Sequence, residues 1–101
     1  MSVADWARLF IQAVDDALSM FGHTVKEVVL FYAKTKYGIN ETEIPFKLEL
    51  FEDCLYEIFG EASKIIVRQI IEKFSERAEF RVKVERLCDL SRFMEGFPYP
   101  P

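Results

Sequence analysis

Residues 44–74, IPFKLELFEDCLYEIFGEASKIIVRQIIEKF, constrain the fold more than any other stretch of this chain. Leu48, Phe51, Leu55 and Ile58 recur at offsets of three and four, the spacing of one stripe on a helix. Gly60 then supplies a residue that can turn left-handed after the last turn. Ala62, Ile66, Ile70 and Phe74 make a second stripe beyond it. Two apolar stripes joined by one tight corner must face each other or share a third element, so this hairpin is expected at the centre of the core.

The N-terminal side reads as two further helices. Val3, Ala7, Phe10, Val14, Ala17 and Phe21 repeat at three and four, and Trp6, Leu9, Ile11, Ala13 and Leu18 widen that stripe to more than half the circumference. A helix over 3–21 follows, with Ser2 as its N-cap and Gly22 as its stop. Thr24 and Glu27 have the form of a capping box, which starts a second helix at Val25 with His23 left in the turn. That helix runs to about Lys36 and ends at Tyr37-Gly38. Residues 38–43 read as a polar loop, and Pro45 pushes Ile44 towards extended backbone. Phe46, Leu48 and Leu50 alternate, so a short extended segment is expected ahead of the third helix.

No Gly or Pro stands between Gly60 and Gly96. The stripe of the fourth helix is interrupted at Arg77 and resumes at Phe80, Val84, Leu87 and Met94, which favours a break near 75–79 and a separate C-terminal helix over one long helix. Residues 80–84 also alternate like a strand. The expected fold is therefore all-α: a compact bundle of four core helices plus a C-terminal helix, forming one domain over 1–95. A Pro-rich tail, 96–101, follows.

With 101 residues and 50% hydrophobic content the chain suits one domain with a real core. Ten Phe, four Tyr and one Trp exceed what so small an interior readily hides, and surplus aromatics on a surface mark an interface. Net charge is -4, with five basic and ten acidic residues in 1–60 against eight and seven in 61–101. This balance argues against a domain built for tight non-specific contact with nucleic acid. Cys54 and Cys88 lack metal-ligand spacing and read as reduced thiols, or as one disulfide if the source is a hyperthermophile. Asp5, Arg8, Asp15 and Asp16 interrupt the first apolar residues, so neither a signal peptide nor a membrane span is expected, and a cytoplasmic location is.

Candidates for chemistry are few. His23 could act as a base with Glu27 or Asp16 as its orienting carboxylate, but no nucleophile or oxyanion frame accompanies it, and a turn residue is the simpler reading. Glu49, Asp53 and Glu57 lie four apart on one helix face. Di-metal sites use such acids together with Glu-x-x-His on neighbouring helices; that histidine is missing, and a solvated face that docks something basic remains. Lys73, Arg77, Arg81, Lys83, Arg86 and Arg92 could follow a phosphate backbone, although interleaved acids can form ordinary pairs with them. Phe80, Val84, Leu87 and Met94 approximate an a/d seam for self-association. The tail could serve as an extended ligand for an aromatic groove.

Phe21-Gly22, Tyr37-Gly38-Ile39, Glu43-Ile44-Pro45, Phe51, Leu55, Ile58-Phe59-Gly60, Ala62 and Ile65-Ile66 together resemble the small all-helical archaeal domains of unknown function, including a predicted output domain of thaumarchaeal signalling and transcription proteins. The resemblance covers roughly 8–74 and rests on turn glycines, one proline and core apolar residues. It implies an architecture and offers no catalytic residues to carry over. The expectation is a non-enzymatic interaction or regulatory module without metal or cofactor, paired with itself or another protein. Accessory nucleic-acid binding through the C-terminal basic residues is the alternative.

Overall fold

A helix that is apolar around more than half its circumference needs cover from several sides, and the first helix obtains it. The computed structural model describes residues 3–79 together with Val84, Arg86, Leu87, Asp89 and Leu90. Four helices form the framework: α1 (Val3–Met20), α2 (His23–Tyr37), α3 (Leu48–Phe59) and α4 (Ser63–Ala78). Among the described residues there is no strand, and the fold is an all-α bundle. α1 and α4 share the largest interface; α2 and the segment between α2 and α3 pack on α1, and α3 bridges α2 and α4. Of the two arrangements open to the 44–74 hairpin, the structure shows the one in which its second helix shares a third element, α1. The 44–74 hairpin forms, but α1, not α3, is the main partner of its second helix.

The reason lies in ring packing. Trp6 stacks on Phe10 with centroids 5.5 Å apart and planes at 16°, and Phe74 of α4 meets both edgewise, at 5.6 Å and 5.7 Å. Edge-to-face and offset contacts of this kind add about 1 kcal/mol per pair to the burial of the rings. Phe10, Phe51 and Phe74 are fully buried, as are Leu87 and Leu90 from beyond α4. Cys54 is buried in α3 with a free thiol; Cys88 lies outside the described residues.

The joints depend on backbone conformations that few residues adopt. Gly22 has φ 114°, and its carbonyl accepts the Lys26 N–H at 3.2 Å, so α2 begins at His23 rather than Val25. The expected Thr24–Glu27 capping box is thereby displaced: Glu27 instead meets His23 Nε2 at 2.8 Å, one turn apart on an exposed face. Gly38 closes α2 with φ 66°, and the N–H groups of Gly38 and Ile39 converge on the Ala33 carbonyl. Residues expected as loop and extended chain form a 3-10 turn, Glu41–Phe46. Asn40 caps it, and Glu43 reaches back to the Asn40 N–H at 3.0 Å. The apolar alternation there is coincidental, because Leu48 is buried while Phe46 and Leu50 face outward.

Past Gly60 a short 3-10 turn, Gly60–Ala62, leads into α4, so Ala62 is exposed instead of opening the apolar stripe. α4 ends at Ala78, where Glu79 takes a left-handed φ of 61°, and the sequence break near 75–79 is a real helix end. The strand alternative at 80–84, the Pro-rich tail and most of the C-terminal helix lie outside the described residues. Phe10→Ala is expected to lower unfolding free energy by about 3–5 kcal/mol, because it removes the ring that touches both other members of the cluster. Urea denaturation followed by helical circular dichroism reads this directly, and a loss below about 1 kcal/mol would contradict the assigned core.

Candidate functional site

Polar side chains fasten the helices to one another, which limits what is left for a ligand. On α3, Glu57 is held by α2. The Tyr32 and Tyr37 hydroxyls each donate to one of its oxygens, and Lys36 Nζ sits 2.5 Å from Oε2. Lys36 also donates to Tyr32 Oη at 3.1 Å and lies 5.3 Å from the centre of that ring. Lys36, then Tyr32 and Tyr37, favour the charged carboxylate and hold Glu57 down to about 2. Hydrogen bonding to Glu57 and partial burial push Tyr37 up to about 12, and the contact with Glu57 followed by that with Tyr32 raises Lys36. Burial pushes the neighbouring Cys54 thiol up to about 11, which leaves it a poor nucleophile at neutral pH.

Glu49, Asp53 and Glu57 are all exposed, as the acidic face expected of them requires, but Glu57 is engaged by α2. Among the described residues no group of three or more His, Cys, Asp or Glu side chains is placed to hold a metal ion. Asp16 is not a partner of His23. It accepts from Arg77 Nε at 3.0 Å and from Nη2, while Arg77 Nη1 donates to Gln12 at 2.9 Å, which clamps α4 to α1. Lys26 of α2 pairs with Asp15 of α1.

Of the six basic residues considered for nucleic acid, Arg81, Lys83 and Arg92 lie outside the described residues. Arg77 forms the α1–α4 clamp, Lys73 is 3.6 Å from Glu76, and Arg86 is 3.5 Å from Glu52. Of the self-association seam, Phe80 and Met94 lie outside the described residues. Leu87 is fully buried in its own chain and Val84 is half-buried against the same core.

A cleft of about 470 Å³ opens between α3, the start of α4 and the segment around Val84 and Arg86. Glu52 and Asp53 face Lys64, Arg68 and Arg86 across it, so neither sign of charge dominates. Glu52 has a structural duty there: its Oε2 accepts the Leu87 N–H at 3.2 Å and ties Leu87 to α3.

The remaining feature is apolar. Among the described residues eight large hydrophobic side chains are exposed, and four of them, Met20, Phe21, Val28 and Phe31, fall on the α1–α2 corner and the outer face of α2. Phe31 is the most exposed, at 69%, with Val28 at 48%. α2 is thus two-sided: Val29 and Ala33 are buried on its inner face, and Thr24, Val28, Phe31 and Thr35 line its outer one. Sequence reasoning anticipated surplus aromatics and looked to the C-terminal seam for them, without singling out the outer face of α2. The stripe is present in the spacing, since Thr24, Val28, Phe31 and Thr35 are four, three and four apart, but spacing does not say that this is the stripe left outside.

Comparison with family models, curated proteins and solved structures finds no match to this chain. Of the residues quoted for the archaeal resemblance, Gly22, Gly38 and Gly60 have positive φ and Ile39, Ile44, Phe51, Leu55 and Ile66 are buried, whereas Phe21, Ala62 and Ile65 are exposed.

The Glu57 cluster yields a pH prediction. The carboxyl ionises at lower pH in the folded chain than at its ordinary value of 4.5, so its contribution is fully present above that value and is lost as pH falls through about 2. Glu57→Gln is expected to lower the urea midpoint at pH 7, with the gap from the parent protein narrowing as pH falls from 4.5 towards about 2. A gap that stays constant across that range would contradict the assignment.

Proposed function

We propose that this chain is a non-enzymatic protein-interaction module whose contact face is the outer stripe of α2 and the adjoining α1–α2 corner. One observation carries the reading: among the described residues, half of the large hydrophobic side chains left exposed are concentrated over residues 20–31, at the α1–α2 corner and on a helix whose opposite face is already packed. Moving one such side chain from water into an interface is worth about 1.5–3 kcal/mol, so the cluster represents association energy that the single chain does not use. The aromatic surplus of the composition supports the same reading.

The described ends of the alternatives are less available. Leu87, central to the C-terminal seam, contributes to the chain's own core. Arg77 and Arg86 are engaged by Asp16 and Glu52, which reduces what they could offer to phosphates. A regulatory role fits a module of this kind, with the state of the α2 face as the signal.

Replacing Phe31 with a photo-crosslinking phenylalanine analogue tests this in cells, with the analogue at the exposed Arg68 of α4 as control. The reading predicts discrete protein adducts from position 31 and not from position 68. Absence of adducts at 31, or equal labelling at both positions, would overturn it.

A further inference from the structure

We infer that the partner on this face is a second copy of the chain, with α2 packed antiparallel against α2 about a two-fold axis that passes at Phe31. The inference rests on the interaction-module reading and names the partner for that same surface. Its basis is the pattern around Phe31. Thr24, Val28, Phe31, Thr35 and Gly38 are all exposed and recur at offsets of four, three, four and three, which is the a/d spacing of a helix–helix seam. The Thr35 hydroxyl donates to the Phe31 carbonyl at 2.8 Å, so its polar atom is satisfied within the helix and the position needs no partner for it.

In an antiparallel pair centred on Phe31, each residue a given number of places after it meets the residue the same number before it in the other copy. Phe31 then meets Phe31, Thr35 falls level with position 27, and Lys34 with position 28. Glu27 and Lys34 are both exposed and flank the seam on the same side, seven residues apart. Antiparallel pairing therefore sets Glu27 of each copy beside Lys34 of the other, twice by symmetry. A parallel pairing would instead turn position 27 towards position 32 of the other copy, so that Glu27 and Lys34 would not meet across the seam. Lys34 makes no ion pair within its own chain among the described residues, whereas Lys26, Lys36 and Lys47 each do. Charge complementarity thus selects both the occupant and its direction.

Thr24 falls level with Gly38, so the bulky Met20-Phe21 corner of one copy overhangs the end of the other's helix, where the residue has no side chain. With its 15 residues, α2 is about 22 Å long, which gives a contact smaller than the roughly 800 Å² per partner of a standard interface. The dimer is accordingly weak and concentration-dependent, a state suited to reversible regulation.

Sedimentation equilibrium of the purified full chain over a wide concentration range tests this. The mass is expected to rise from 11.9 kDa towards twice that value, while Phe31→Glu, at a site already exposed, remains at 11.9 kDa with unchanged helix content. Glu27→Lys and Lys34→Glu should each weaken association by about tenfold, since each substitution places two like-charged pairs in the dimer. The double variant Glu27→Lys/Lys34→Glu should restore it. Three results would overturn the inference: a parent chain that stays monomeric at every concentration, a dimer that survives Phe31→Glu, or a double variant no better than the singles. If the chain is monomeric but position 31 still crosslinks to a different protein in cells, the dimer fails and the module reading stands.

Discussion

The contact between α1 and α4, made of Trp6, Phe10 and Phe74 and closed at its rim by Arg77, sets the rest of the arrangement. Three large rings from two helices fill one volume, so neither helix can rotate without opening a cavity. Arg77 reaches back from α4 to Gln12 and Asp16, two positions one turn apart on α1, and fixes the register of the pair at its surface. The surface ion pair itself contributes little free energy. Its effect is geometric, because it selects one sliding position among those that the apolar contact alone would tolerate.

With α1 and α4 locked, α3 and α2 are placed in turn. α3 packs on α4 across the Gly60 corner, and Glu57 on α3 collects Tyr32, Lys36 and Tyr37 from α2. Lys26 ties the other end of α2 to Asp15 of α1. α2 is therefore oriented at both ends by polar contacts and held along its middle by Val29 and Ala33. The consequence for function is that its opposite stripe, centred on Phe31, is held outward by the same contacts. An exposed phenylalanine on a mobile tail would mean little; on a helix anchored at three points it is a presented surface.

Much of this was legible from periodicity, and the failures have definite causes. The wide stripe of α1, the α3 stripe through Leu48, Phe51 and Leu55, and the α4 stripe through Ile66, Ile70 and Phe74 were readable because burial enforces the helical period. The α2 start was misplaced because Thr24 and Glu27 carry a cap pattern, yet Gly22 can take a φ of 114° that begins the helix sooner. The 3-10 turn was hidden because Pro45 speaks against a helix only for the residues before it, while the Asn40–Glu43 box outweighed that preference. The cluster around Glu57 joins residues some twenty positions apart, and no local pattern announces a tyrosine pair meeting a distant carboxylate. The outer stripe of α2 was present in the spacing, but which of two stripes a helix buries is decided by its neighbours.

The account turns on α2 presenting its outer stripe to a second copy while its inner face stays packed. Amide chemical shifts of the labelled full chain, recorded from high to low concentration, address this most directly. Dilution is predicted to move the signals of Thr24, Val28, Phe31 and Thr35 and to leave those of Val29 and Ala33 nearly still. Shifts that do not depend on concentration, or that gather at Val84, Leu87 and Leu90 instead, would contradict it.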